Sequence, residues 1–231
     1  MDKYSMFRSV WRLIPHSVQQ SIYKRYGDRI EQVKHSLFSH EELYNASYYE
    51  HVEDAAVASA PGIATTIVET FDPADLLDVG CGTGAMMEAI RDLGPSVKGL
   101  EYSSAALELC KKRGLDVTRF DIENDSHPFP DRRFDVVISM EVAEHLPASV
   151  ADRYVNVLCQ SSDHVVFTAA TPGQGGQDHI NEQPREYWLE KFDAREFTVQ
   201  DDLTETWRQK WRAGNVTHWY WKNLMVLKKM S

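Results

Sequence analysis

The sequence predicts an α/β fold: a doubly wound, mainly parallel sheet with helices on both faces. Three observations predict it. From residue 75 onward, short apolar runs alternate with helical patterns. The first of these runs leads directly into a glycine loop. The second ends on an acidic residue, Glu101, 23 residues after Asp78.

The elements follow in chain order. Phe7, Val10, Trp11 and Ile14 stand at i, i+3, i+4 and i+7, a helical stripe that Pro15 breaks. Val18, Ile22, Tyr26, Ile30, Val33 and Leu37 continue as a second helical pattern. Ser39-His40-Glu41-Glu42 has the spacing of a capping box and marks another helix start. Leu76 to Val79 is strand one, and residues 83–93 form a helix. Val97 to Glu101 is strand two, followed by a helix over 104–113 capped by Ser103 or Ser104. Val117 to Asp121 is strand three and Phe134 to Met140 a buried strand four. A helix over 148–160 precedes strand five, Val165 to Ala169. A helix over 184–193 and strands at Phe197–Gln200 and His218–Leu227 complete the pattern. Residues 1–43 thus read as a helical cap or lid, and residues 44–231 as the main domain.

Composition bounds the function. A chain of 231 residues, 42% hydrophobic and 26% charged, can bury a full core, which excludes wholesale disorder. No stretch approaches about 18 consecutive apolar residues, so no transmembrane helix is expected. Arg8 and Arg12 interrupt the first apolar residues, and the three cysteines follow neither a metal knuckle nor a CxxC pattern. Both features suggest a cytoplasmic protein. The net charge of −10 argues against a nucleic-acid partner. Residues 1–40 nevertheless hold seven Lys/Arg against three Asp/Glu, and the remainder 18 against 32. That basic amphipathic start either covers the active site or makes peripheral membrane contact through residues 1–37.

The loop Asp78-Val79-Gly80-Cys81-Gly82-Thr83-Gly84 has GxGxG spacing, unlike the GxGxxG of a dinucleotide fingerprint or a P-loop. Glycines there allow a sharp turn and close approach of backbone to ligand. Glu101 stands where a carboxylate accepts from ribose hydroxyls, and Asp121, ending strand three, where one can meet an adenine amino group.

LLDVGCGTG, the LEYS turn, FDIEN and FDVVISMEVAEHLP, in that order, resemble the motifs of class I S-adenosylmethionine (SAM) methyltransferases. The resemblance spans residues 44–228. It implies a Rossmann-like seven-stranded sheet whose last strand, here His218–Lys228, is antiparallel and inserted between strands five and six. It implies SAM as cofactor. Asp78, Gly80, Cys81, Gly82 and Gly84 would hold its methionine part, Glu101 and neighbouring Tyr102 the ribose, and Asp121 with Ile122 the adenine. Met140 and Glu141 would face the methyl donor. Tyr49, with Tyr48 and Tyr44 beside it, would lie over the cofactor.

The chemistry is expected just after strand four, in Glu141-Val-Ala-Glu144-His145. On a helical turn both carboxylates share one side with His145 adjacent, a donor set that suits Mg²⁺ or another divalent ion. The ExxEH string also resembles ubiquinone-biosynthesis O-methyltransferases and small-RNA 2′-O-methyltransferases, in which a further histidine completes a metal site; His179 is placed to do so. The candidate ligands are therefore Glu141, Glu144, His145 and His179. Without a metal, His145 would orient the acceptor or act as base, and Glu141 would contact the cofactor or cap a turn. The long loop Thr171–Trp188 offers His179, Asn181, Glu182, Gln183 and Arg185 to an acceptor, or spends them on its own backbone. Trp207 and Trp211 form a helical stripe with Leu203; interleaved Arg208, Lys210 and Arg212 either dock an anionic acceptor or form a solvated face. Trp219 and Trp221 share one strand face.

The expected activity is transfer of a methyl group from SAM to a hydroxyl of a small-molecule acceptor: a saccharide, nucleotide-sugar or natural-product intermediate. The alternatives are N-methylation of a small amine, RNA 2′-O-methylation, or a SAM-binding partner module docked through the N-terminal helices.

Overall fold

The structure, a computed structural model, describes residues 46–230 and, ahead of them, Leu13, Ile14, Val18, Ile22, Arg25, Tyr26, Ile30, Val33, Leu37 and Leu43. The predicted helix over residues 5–14, the capping box at Ser39 and the boundary of the N-terminal cap fall largely outside the described residues. Val18, Ile22, Tyr26, Ile30, Val33 and Leu37 are each helical. No described helix is long and apolar enough to cross a membrane.

A long alanine-rich helix, α1 (Ala46–Phe71), opens the described domain. Asp72 ends it in the left-handed region, with Pro73 next. Then come β1 (Asp75–Val79), α2 (Ala85–Arg91), β2 (Ser96–Glu101), α3 (Ser104–Lys112) and β3 (Asp116–Arg119). The second half holds β4 (Val136–Met140), two short 3₁₀ turns, α4 (Ala151–Ser161) and β5 (His164–Thr168). It closes with α5 (Arg185–Asp193), β6 (Phe197–Val199), α6 (Asp201–Ala213), α7 (His218–Asn223) and β7 (Met225–Lys229).

The sheet has seven strands in the order β3-β2-β1-β4-β5-β7-β6. The first five pair in parallel, whereas β7 runs antiparallel to both β5 and β6. Alternate side chains feed two cores. Leu77, Val79, Val137 and Phe167 pack with Tyr154, Leu158, Trp188 and Phe192 on the α4–α5 side. Leu76, Val136, Ile138 and Val166 pack with Ile63, Ile67, Met87, Trp207 and Trp211 on the α1–α2–α6 side. Strands buried on both faces explain the continuous apolar runs of the sequence.

The last strand differs from its predicted span. His218–Asn223 is a helix, and the strand starts only at Met225. The aromatic run HWYW suits a strand by propensity, but Tyr220 N–H donates to the Thr217 carbonyl (3.2 Å) and turns the run helical. Trp219 and Trp221 therefore do not share a strand face. Trp219 turns to the cavity described below, while Trp221 packs on the second core beneath the Arg212 guanidinium.

Candidate active site

The C-terminal ends of β1, β2 and β4, with the loops after β3 and β5, line a cavity of about 500 Å³. This is the ligand crevice of an open α/β sheet, and its volume suits a nucleoside-sized ligand with an acceptor beside it. Tyr49, Asp78, Gly80, Cys81, Gly82, Glu101, Tyr102, Ile122, Met140, Glu141, His145 and His179 all line it. Gly84, Asp121 and Glu144, also expected there, do not.

The loop after β1 depends on its glycines. Gly80 has φ 78°, and a Cβ there would lie 2.6 Å from Val142 Cγ2. Gly84 (φ 81°) serves packing instead, since its Cβ would meet Leu115 Cδ1 at 2.4 Å and Cys110 Sγ at 3.0 Å. Glu101 ties this loop to the next. Its Oε2 accepts from Gly82 N–H (2.9 Å), and its Oε1 accepts from the amides of Tyr102 and Ser103 (both 2.8 Å). Asp78 lies beneath, 3% exposed. Burial first, and the charge of Glu101 second, push its carboxyl up to about 8. The Cys81 thiol is also pushed up, by its hydrogen bond with Cys110 and then by burial.

Asp121 closes a turn in its own loop. Its Oδ1 accepts from Glu123 N–H and its Oδ2 from Asn124 Nδ2, both at 2.9 Å. An Asx turn of this kind is as typical of a strand-end aspartate as ligand contact. Phe120 and Ile122 supply an apolar slot in its place, and Arg153 Nε holds the Ile122 carbonyl at 2.6 Å.

The opposite end of the cavity is built from the turn after β4 and the loop after β5. Glu141 sits in the left-handed region (φ 55°), anchored as its amide donates to Thr168 Oγ1 at 2.9 Å. The kink replaces the expected helical turn, yet the two carboxyl groups stay close enough for the Glu141 charge to act on Glu144. The Glu141 carboxylate accepts from Asn223 Nδ2 and Gln174 Nε2, both at 3.0 Å, and does not join the histidines.

Glu144 does join them. One donor atom each from Glu144, His145 and His179 lies within 4.8 Å of the others. Glu144 is fully buried, and neither carboxylate oxygen has a hydrogen-bond partner. Burial, then the charge of Glu141, push its carboxyl well above the usual range. Its backbone carbonyl accepts from Ile180 and Asn181 (2.9 and 3.0 Å), binding the turn to the loop.

Both imidazoles are oriented through Nδ1. That of His145 faces the Asp178 carbonyl (3.2 Å), and that of His179 faces Glu182 Oε1 (2.9 Å). Both partners accept only, which assigns the proton to each Nδ1 and the lone pair to each Nε2. The rings meet edge-on, 4.9 Å between centroids. Two imidazole lone pairs beside an unpartnered carboxylate form a donor set for a divalent ion, with outer hydrogen bonds already in place. A Cβ at Gly176 would sit 2.2 Å from His179 Nε2, so glycine keeps that position open.

The remaining loop candidates serve the protein. Glu182 binds the loop together, and Asn181 Oδ1 accepts from Gln183 Nε2 at 2.9 Å. Arg185 pairs with Asp201 (3.2 Å). Arg208 Nη2 donates to the Leu224 carbonyl (2.9 Å) and Lys210 pairs with Glu69 (2.7 Å), so these cations belong to the fold rather than to an anion dock. Burial pushes the Arg208 guanidinium down, and the nearby Arg185 charge adds to this. Tyr44 lies outside the described residues, and of Tyr48 only the backbone is described. Sequence reasoning missed Gln174, His218, Trp219, Tyr220 and Asn223. Gln174 lay in the loop already marked by its glycines; the other four carried no signal beyond an aromatic run.

Comparisons agree with this architecture. Residues 77–163 match a family described as a methyltransferase domain. The chain is 26% identical over 168 residues to a ubiquinone biosynthesis O-methyltransferase of Alkalilimnicola ehrlichii, covering 68% of this chain and 62% of the relative. It is 35% identical over 100 residues to the protein of that name from Proteus mirabilis, covering 40% of each. The chain thus spans less than two thirds of these relatives. Among solved structures, the plantazolicin methyltransferase BpumL in complex with SAH (S-adenosylhomocysteine) superposes with a TM-score of 0.54 at 16% identity, covering 93% of this chain and all of that one.

Proposed function

We propose that the chain is a class I SAM-dependent methyltransferase and that it methylates a hydroxyl oxygen of a small, uncharged, polyhydroxylated acceptor with the help of a divalent ion. One observation carries the reading: His145 and His179 line the same cavity as the glycine loop, and buried Glu144 offers a ligand atom within 4.8 Å of theirs.

SAM, when bound, supplies an electrophilic methyl group on a sulfonium. Asp78 would accept from its ammonium group and Glu101 from its ribose hydroxyls, while Phe120 and Ile122 would enclose its base. These residues fit such a group: two carboxylates and an apolar slot line one cavity wall beside the glycine loop. Glu144, His145 and His179 would hold the ion, which would lower the pKa of a bound hydroxyl. Without the ion, His145 Nε2 would instead take the hydroxyl proton. Met140, Leu146 and Trp219 exclude water from the reacting end, where in-line approach matters most.

The charge of the walls narrows the acceptor. Asp78, Glu101 and Glu141 line the cavity, and no Lys or Arg does so among the described residues. A saccharide or a hydroxylated natural-product intermediate fits such walls; among the described residues no Lys or Arg would face the phosphates of a nucleotide-sugar. Adjacent hydroxyls would chelate the ion.

Calorimetry with Mg²⁺, Mn²⁺ and Zn²⁺ on chelator-stripped, SAH-saturated protein tests this reading. The expected result is one site, lost in Glu144→Ala. Absence of binding by the unaltered protein would remove the metal, leave His145 as base, and favour amine acceptors.

A further inference from the structure

We propose that Glu182 is a positioning residue acting through His179: it fixes which ring nitrogen carries the proton and seats the glycine loop against the other. The proposal rests on the reading above for its functional consequence only; the geometry stands without it.

Glu182 does not line the cavity. It lies behind His179, and the two side chains are 14% and 12% exposed. Three donors converge on its carboxylate. Oε2 accepts from Gly173 N–H at 2.8 Å, and Oε1 accepts from Gly175 N–H at 2.8 Å and from His179 Nδ1 at 2.9 Å. The first two bonds fold the loop back on itself, with Gly173 and Gly175 both at positive φ (85° and 69°). The third selects a tautomer, because a carboxylate can only accept. An isolated neutral histidine side chain favours the proton on Nε2, so here the protein imposes the opposite choice.

The two effects meet at Nε2. Folding the loop around Glu182 brings Gly176 to the position where an added Cβ would lie 2.2 Å from that nitrogen. Asp178, in the same loop, presents its carbonyl to His145 Nδ1 at 3.2 Å. One carboxylate therefore aims the His179 lone pair, limits the space before it, and holds the segment that orients His145. The nearly perpendicular rings (86°) are the outcome of that single fold.

The test is a long-range proton–nitrogen spectrum of the full chain labelled with ¹⁵N-histidine, at about pH 8 to stand above the ordinary histidine range. A His179→Gln variant assigns the signals. The unaltered protein should show His179 protonated at Nδ1. Glu182→Ala should move the proton to Nε2 and raise the Mn²⁺ dissociation constant about tenfold or more, as loss of an outer-shell partner does. SAH affinity, measured on the same samples, should stay within about twofold and shows that the variant is folded. Glu182→Gln, whose one carbonyl oxygen still offers Nδ1 an acceptor while the bond from Gly173 N–H is lost, should keep the tautomer and recover part of the Mn²⁺ affinity. A wild-type ring protonated at Nε2, or a tautomer unchanged in Glu182→Ala, overturns the assignment. A tautomer that switches while Mn²⁺ binding holds supports the positioning role and overturns the metal reading instead.

Discussion

Asp78 makes cofactor binding depend on pH in a calculable way. Burial, with Glu101 second, pushes its carboxyl up to about 8 in the ligand-free cavity. A ligand ammonium held against Asp78 needs the ionised form, so proton and ligand compete. Below that pKa, affinity should fall about tenfold per pH unit. Relative to the high-pH limit, the loss is about twofold at pH 8, about tenfold at pH 7 and about 100-fold at pH 6, where it equals about 2.7 kcal/mol. The ligand's own amino-acid ammonium stays charged through this window. Titration calorimetry with SAH at these pH values measures the slope, and Asp78→Asn supplies the control. The variant should bind weakly and almost independently of pH. For ligand-free stability the sign reverses. A carboxyl raised in the fold costs stability as pH climbs from its unfolded value, 3.8, toward about 8. Saturating SAH relieves that cost, so the gap in Tm between bound and free protein should widen from pH 6 to pH 8. A flat SAH affinity across this range, or an equal slope in Asp78→Asn, would refute the reasoning.

Three further outcomes are expected. Gly176→Ala places a methyl group 2.2 Å from His179 Nε2 without demanding a left-handed backbone; Mn²⁺ affinity should drop at least about tenfold with SAH affinity unchanged, and equal Mn²⁺ titrations would show that Nε2 faces no ligand. Trp211→Ala removes a side chain that is 1% exposed and whose Nε1 donates to Thr66 Oγ1 at 3.1 Å; urea unfolding should show a loss of about 3–5 kcal/mol, and a loss below about 1 kcal/mol would place Trp211 outside the core. Asn223→Ala frees Glu141 and Gln174 from a shared amide; the amides of residues 173–177 should exchange faster with deuterium while those of α4 do not, and unchanged exchange would mean that Gln174 does not tether the loop.

How much of this was legible in the sequence depends on how far apart the interacting residues lie. The glycine loop and Glu101 were readable because their requirements are local, whereas the place of the last strand in the sheet came from the family resemblance. A glycine at φ 78° against Val142, or a carboxylate ending β2, is written in a few adjacent residues and a fixed spacing. Ranges for β3, β4 and β5 shifted by only one or two residues, the ordinary uncertainty of element ends. Asp121 misled because the same residue type at the same strand end can bind a ligand or close a turn, and only the fold of residues 121–125 decides which. Glu141 was only half legible because the ExxE spacing speaks of a helix, whereas its backbone lies at φ 55° and its carboxylate accepts from Asn223 and Gln174. Its true partner, Asn223, lies 82 residues on, beyond a helix whose aromatic run read as a strand. His145, Glu144 and His179 were each marked by type, yet their orientation came from groups no motif names: an Asp178 carbonyl and the carboxylate of Glu182. The sequence could nominate donors; which lone pair each presents is settled by contacts behind the cavity wall, and those contacts are where variation should alter chemistry without touching any residue that meets the acceptor.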